Sequence, residues 1–243
     1  VSPPVFLAES AQLAADRIVL GGAEGRHAAT VRRLRAGERV DLTDGAGRLA
    51  ECVVTGPAPG GLELEVLARR DEPAPSPRLV VVQALPKGDR GELAVETMTE
   101  VGVDEIVPWA ASRCVTQWRP ERREKSLGRW RNAAREAAKQ ARRSWMPVVA
   151  DLATTAEVAE RIAAADSALV LHEEADAPLS GMKTPAAGEI LLVVGPEGGI
   201  TEEELRRFGE AGGLPTRLGQ TVLRTSTAGV AAAAVLLSAC GRW

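Results

Sequence analysis

Two short segments of this 243-residue chain combine residue types that chemistry needs and packing does not. The first reads Leu191-Leu192-Val193-Val194-Gly195-Pro196-Glu197-Gly198-Gly199-Ile200-Thr201-Glu202-Glu203-Glu204-Leu205. An unbroken apolar run of strand length gives way to a glycine-rich turn. Thr201, with Glu204 three residues on, then forms a capping box that starts a helix. In open α/β sheets such a strand, tight loop and helix make a ligand site beyond the strand's carboxyl end, and glycines let a bound molecule approach main-chain N–H and C=O groups. A tight turn without a ligand is the plainer alternative. The loop lacks the Lys-Ser/Thr pair of a phosphate cradle, and Glu197 would repel phosphate, so a nucleoside triphosphate is disfavoured. No GxGxxG fingerprint follows an early strand of this half of the chain, which disfavours a dinucleotide sheet.

The second segment reads Leu218-Gly219-Gln220-Thr221-Val222-Leu223-Arg224-Thr225-Ser226-Thr227-Ala228-Gly229 and leads into an alanine-rich stretch. Ser226 or Thr227 is expected to cap that helix, which leaves Arg224 in the loop ahead of its electropositive start. A cation there is unfavourable unless it meets an anion. That anion is either a ligand or a structural acid such as Glu197.

Other chemistries are poorly provided for. Cys52, Cys114 and Cys240 lie far apart and read as reduced structural thiols, and with only His27 and His172 no histidine-rich centre can form, so no metal is expected. The net charge is −3. Between Arg113 and Arg143, however, eleven basic residues face three acids, Glu121, Glu124 and Glu136. Only four of the thirty basic residues of the chain are lysine, so the choice of arginine says little; the clustering of sign is what can supply phosphate-directed affinity. A solvated helix face is the alternative. Trp118, Trp130 and Trp145 are interleaved with these arginines and could stack on bases, though core packing is their commoner use.

The elements that must position these groups fall into two regions. The first 70 residues carry short alternating runs at 17–20, 39–43, 49–55 and 62–67, bounded by turn residues, which predict a small barrel; Glu24 to Leu34 predicts a helix between the first two strands. Three alternate prolines in Asp71-Glu72-Pro73-Ala74-Pro75-Ser76-Pro77 mark a linker. Domains at 1–72 and 73–243 follow. Beyond the linker, apolar runs at 79–85, 105–109, 168–171 and 190–194 alternate with helical stretches at 91–101, 119–143, 156–165 and 202–211, the pattern of a mainly parallel sheet covered by helices. Ser226 to Cys240 is too short for the roughly 20 apolar residues of a bilayer span. It reads as a buried helix. No secretory signal is visible, and a cytoplasmic location is expected.

The combination Val194-Gly195-Pro196-Glu197-Gly198-Gly199-Ile200, Leu218-Gly219 and Leu223-Arg224-Thr225-Ser226-Thr227-Ala228 resembles the ribosomal RNA small subunit methyltransferase E family of the SPOUT superfamily. Leu85 to Arg90, Glu100 to Pro108, and Glu136-Ala137-Ala138-Lys139-Gln140 with Arg143 are similar to the same family, as are His27 to Leu34, Gly37 to Val40 and Asp44-Gly45. The likeness covers nearly the whole length. It implies a PUA-like β-barrel domain followed by a trefoil-knotted α/β methyltransferase domain, S-adenosyl-L-methionine as cofactor, 16S rRNA of the small ribosomal subunit as partner, and a homodimer. The alanine-rich last helix would suit a dimer seam, although intramolecular packing looks the same from sequence.

Carried over by position, the resemblance assigns the cofactor to Leu171, His172, Gly195, Pro196, Glu197, Gly198, Gly199, Ile200, Leu218, Gly219, Leu223, Arg224, Thr225, Ser226 and Thr227. His172 would contribute mainly through its backbone. Arg32, Arg33, Arg35, Lys87, Arg113 and Arg143 are assigned to RNA. The implied reaction is methylation of N3 of a uridine, with Arg224 as the catalytic cation that stabilises charge on the base after N3 loses its proton. Glu197 would face the donor's charged groups or hold Arg224. Two positions depart from the family pattern: Val5-Phe6-Leu7 lacks an arginine near an aromatic pair, and Ser226 stands where glutamate is frequent. A noncatalytic RNA-binding protein and a ribose 2'-O-methyltransferase are the alternative readings.

Overall fold

A computed structural model describes residues 2–243, and their contacts separate into two compact units. The first gathers the residues up to Ala74 together with Ala138–Met146; the second holds Pro75–Ala137 and Pro147–Trp243. The later segment of the first unit lies inside what the sequence assigns to the second domain.

The first unit is built on β1 (Val5–Leu7), β2 (Arg17–Leu20), α1 (Gly22–Arg26), β3 (Arg39–Thr43), β4 (Arg48–Ala58) and β5 (Gly61–Asp71). The strands lie in the order β1-β3-β4-β5-β2, antiparallel except for β1 beside β3. Where a barrel was expected, β1 and β2 remain the two edges of the hydrogen-bonded sheet. Period-two alternation in β2 (exposed Arg17, buried Ile18, exposed Val19, buried Leu20) puts one face on a core with Phe6, Leu13, Val40, Leu42 and Leu64. The helix expected over 24–34 is shorter: α1 passes into a widened turn at His27–Val31, and Arg33 takes a left-handed backbone at φ +53°.

The second unit comprises β6 (Arg78–Ala84), α2 (Arg90–Val101), β7 (Glu105–Trp109), α3 (Pro120–Gln140, whose carboxyl end passes into the first unit), β8 (Val148–Val149), α4 (Thr155–Ala164), β9 (Ser167–Leu171), β10 (Glu189–Val194), α5 (Glu202–Glu210), β11 (Leu214–Thr216) and α6 (Thr225–Ala239). Six strands form one parallel sheet in the order β11-β9-β10-β6-β7-β8. The centre of this sheet is apolar on both faces: Leu79 to Val82 and Ile190 to Val194 are all buried, as a sheet covered on both sides requires. The helices pair α2 with α6 and α4 with α5. α6 can lie close to α2 because Gly229 has no side chain; a Cβ there would stand 2.7 Å from Met98 Sδ. Among the described residues no helix is long and apolar enough to cross a membrane.

The topology fixes where a ligand can sit. β6 and β10 are neighbours, but from β6 the chain moves on to β7 on one side, and from β10 it moves on to β11 on the other. Such a reversal opens a crevice at the carboxyl ends of the strands.

Candidate functional site

At the carboxyl ends of the strands, on the β10 side of this reversal, the loops after β9 and β10 and the loop between β11 and α6 enclose a cavity of about 580 Å³. This volume falls within the ~300–1,000 Å³ of small-molecule sites. The β10 loop supplies Gly195, Pro196, Glu197, Gly199 and Ile200 to its wall. Two glycines are sterically required there. Gly199 turns with φ +72°, and a Cβ on Gly195 would stand 2.7 Å from Ile200 Cγ1. Thr201 closes the loop as the expected capping box: its Oγ1 accepts the Glu204 N–H at 3.2 Å, while the Glu204 carboxylate accepts the Thr201 N–H at 3.0 Å.

The third loop is unusual in its main chain. From Leu218 to Leu223 no N–H or C=O is hydrogen-bonded to any described residue. Just before it, Arg217 N–H donates to Ala177 O at 2.8 Å and Arg217 O accepts from Leu179 N at the same distance, so the run is anchored at its start. Unpaired backbone groups turn to water or to a ligand. Six consecutive residues of the cavity wall thus leave their peptide groups to water or to a ligand.

Other expected residues hold more specific places. Leu171 and His172 line the cavity, but the His172 backbone N–H is already engaged by Thr216 O at 3.0 Å, and its Nδ1 accepts the Glu174 N–H at 3.3 Å. Arg224 is exposed on the cavity wall and makes no ion pair with Glu197 or any other described acid. Glu197 instead accepts the Lys87 N–H at 3.0 Å and ties the glycine loop to the end of β6. The expected hydroxyl cap of α6 is not formed. Arg224 is the N-cap residue, so Ser226 and Thr227 already lie in the first turn, and the Thr227 hydroxyl donates back to Arg224 O at 3.1 Å. Ser226 is 2% exposed and its Oγ has no partner.

Gly198, Ser226 and Thr227 are beside the cavity, not on its surface, whereas Leu218, Gly219, Leu223 and Thr225 are on it. Glu173, Arg217, Gln220, Thr221, Val222 and Ala228 also line it, and the sequence reading did not single them out as ligands. Gln220 to Val222 and Ala228 lay within the quoted motif. Glu173 and Arg217 each flank a quoted residue, the one signal that could have found them. Among the described residues no group of three or more His, Cys, Asp or Glu gathers as metal ligands do.

The basic residues separate in kind. Arg32, Arg33, Arg35 and Lys87 are exposed, and Arg143 is half-buried. The side chain of Arg113, although exposed, turns inward and donates from Nη1 to Gly198 O at 3.1 Å. Of the tryptophans, Trp130 is core, and Trp118 packs edge-on against it with ring centres 5.1 Å apart. Trp145 donates to Glu72 O at 3.0 Å.

The model of an RNA methyltransferase domain matches residues 72–237, and that of an RNA methyltransferase PUA domain matches residues 20–67. The ribosomal RNA small subunit methyltransferase E of Mycobacterium bovis is 49% identical over 233 residues, 93% of this chain and 87% of its own. The chain belongs to the ribosomal RNA small subunit methyltransferase E family. The Bacillus subtilis member is 30% identical over 215 residues, covering 85% of this chain and 84% of its own. Among solved structures, the family member from Neisseria gonorrhoeae bound to S-adenosyl methionine matches with a TM-score of 0.87 at 28% identity, over 98% of each chain. The parallel sheet and the PUA-like unit are thus the architecture of this methyltransferase family.

Proposed function

We propose that the chain is an S-adenosyl-L-methionine-dependent methyltransferase that modifies N3 of a uridine in 16S rRNA of the small ribosomal subunit. The observation that carries the reading is the cavity, where unpaired peptide edges at 218–223 face a glycine loop at a crevice of a parallel sheet. The residues present fit the cofactor. Peptide N–H and C=O groups match the edges of an adenine and the hydroxyls of a ribose. Arg217 and Arg224 can meet a carboxylate, and Glu173 and Glu197 suit an amino or sulfonium cation. When bound, S-adenosylmethionine supplies an electrophilic methyl group on sulfonium sulfur.

The chain's own part is alignment and charge. Loss of the N3 proton spreads negative charge onto O2 and O4 of the uracil, and the Arg224 guanidinium, free of a protein carboxylate, is placed to stabilise it. The base approaches from the open side of the loop; Leu223 and Val222, both exposed, give that rim an apolar edge. Arg32, Arg33 and Arg35 of the first unit and the basic face of α3 grip phosphate, with Lys87 and Arg143 as further contacts.

We further propose that the second unit carries the trefoil knot of this enzyme class, formed by the chain around the three cavity loops. The parallel-sheet unit transfers the methyl group and shares the phosphate contacts with the PUA-like unit. The enzyme acts as a cytoplasmic homodimer. Ala231, Ala234 and Val235 stay half-exposed on one side of α6, small enough for a second helix to come close.

Replacing Arg224 with alanine is expected to lower the single-turnover rate of methyl transfer to small ribosomal subunits by about 10²- to 10³-fold, the loss typical of a preorganised charge-stabilising donor. An unchanged rate would remove Arg224 from the mechanism. Mass spectrometry of the digested rRNA names the modified nucleoside, and a product other than N3-methyluridine would refute the proposed reaction.

A further inference from the structure

We propose that Glu204, Ser112 and Arg113 are positioning residues that set cofactor affinity from behind the glycine loop, without touching the cofactor. The inference rests on the cofactor reading of the cavity. None of the three lines the cavity wall.

A capping box uses one carboxylate oxygen, and Glu204 Oε2 fills that role with Thr201. Its other oxygen points elsewhere. Oε1 accepts the Ser112 N–H and the Ser112 hydroxyl, both at 2.9 Å, and the Thr155 hydroxyl at 3.2 Å. Thr155 in turn accepts the indole N–H of the fully buried Trp109 at 3.2 Å, which backs the cluster with the rigid end of β7. Glu204 is only 3% exposed, and no cation pairs with it among the described residues. An acid in such a place is held by hydrogen bonds alone. Losing one of them leaves a buried charge short of a donor, which is costly.

Arg113, the next residue along, grips the loop from the same segment. Its Nη1 donates to Gly198 O, and the approach is so close that a Cβ on Gly198 would stand 3.0 Å from Arg113 Cβ and 3.2 Å from Arg113 O. The glycine loop is therefore fixed at Glu197 by Lys87, at Gly198 by Arg113 and just beyond its end by Ser112 through Glu204. Thr116 links the two bracing segments by donating to Pro86 O at 2.7 Å. A loop fixed in this way binds without first being ordered, and preorganisation of this kind appears as affinity.

Titration calorimetry with S-adenosylmethionine, set beside single-turnover rates at saturating cofactor, tests this on the full-length chain. Glu204→Gln is expected to weaken cofactor binding about tenfold or more, as loss of hydrogen bonds to a charged group implies. Ser112→Ala and Arg113→Ala should each weaken it several-fold, and in Ser112→Ala the rate at saturation should stay within about threefold of the parent. A purely structural role would lower melting temperature and saturated rate together and leave the affinity of the folded fraction alone. Should Glu204→Gln fail to fold, the two milder variants decide. Folded Ser112→Ala and Arg113→Ala proteins that bind the cofactor as the parent does would overturn the inference and leave the cavity reading standing. A parent chain that does not bind S-adenosylmethionine would overturn both.

Discussion

Burial works against the charge of Glu204, pushing its carboxyl up, yet the N–H groups of Ser112 and Thr201 and the hydroxyls of both outweigh it and hold the group below its ordinary value of 4.5. Asp44 in the first unit follows the same logic. Burial raises it, and the Ser10 hydroxyl with the N–H groups of Ala46 and Arg48 brings it below 3.8. A carboxylate whose value is depressed in the folded state adds stability that is complete above its unfolded value and disappears as the pH falls through the folded one. Melting temperature should therefore hold from pH 7 to about 5 and then drop steeply below about 4. In Glu204→Gln the drop should be shallower, because this group no longer titrates. Parallel melting curves for parent and variant would refute the assignment. Half of this was legible in the sequence. Thr201 and Glu204 are three residues apart, so the capping box follows from spacing; Ser112 is 92 positions away from Glu204, and nothing in either neighbourhood announces the other.

At the scale of elements, α3 shows how a sign pattern becomes a surface. Leu127, Trp130, Ala134, Ala137 and Ala138 recur at intervals of three and four and are buried, so the helix has one apolar stripe and its arginines must lie elsewhere. Arg122, Arg123 and Lys125 are exposed and make no ion pair among the described residues. Arg129 and Arg131 do, with Glu92 and Asp151. The unpaired three would meet phosphate without giving up a protein carboxylate. Changing them together to glutamate should flatten the slope of log affinity against log salt for an rRNA fragment by about two or more, at ~0.7 per single-strand phosphate contact. Melting temperature should hardly move, since no side-chain hydrogen bond or ion pair among the described residues is lost. A constant slope would leave them as solvated surface. The helices and central strands of the second unit were visible in advance because each is long and strongly periodic. The short strands β1, β8 and β11, and the start of α6 at Thr225, were not, since two or three residues carry no period and α6 begins without a side-chain cap.

For the whole molecule, the consequential feature is that the first unit is discontinuous in sequence. A proline-rich linker at 71–77 marks one crossing of the chain, and composition marks no second one. The contacts nevertheless bring Ala138–Met146 back to the first unit. Gly47 N–H and the Thr43 hydroxyl both donate to Ser144 O, at 3.0 and 3.1 Å, and Met146 N–H donates to Gly45 O at 2.9 Å. The Ser144 hydroxyl donates to Glu72, and Lys139 Nζ pairs with Glu24 at 3.2 Å where both side chains are nearly buried. The motif Glu136 to Gln140, which in sequence resembles part of the second domain, thus ends in an anchor for the first unit. Cutting the chain after Ala74 would take from the first unit the Lys139 ammonium beside Glu24 and the turn contacts at 43–47. Small domains have only about 5–15 kcal/mol in hand, and the lost pairing together with these hydrogen bonds, at about 1 kcal/mol each, is a large share of it. Residues 1–74 expressed alone should accordingly be largely unfolded by circular dichroism and amide exchange. A single chain that joins 1–74 to 138–146 through a flexible linker should recover a cooperative melt. If the shorter piece melts as cooperatively and at the same temperature as the joined one, the returning segment is only an attachment, and the first unit folds from its leading residues alone.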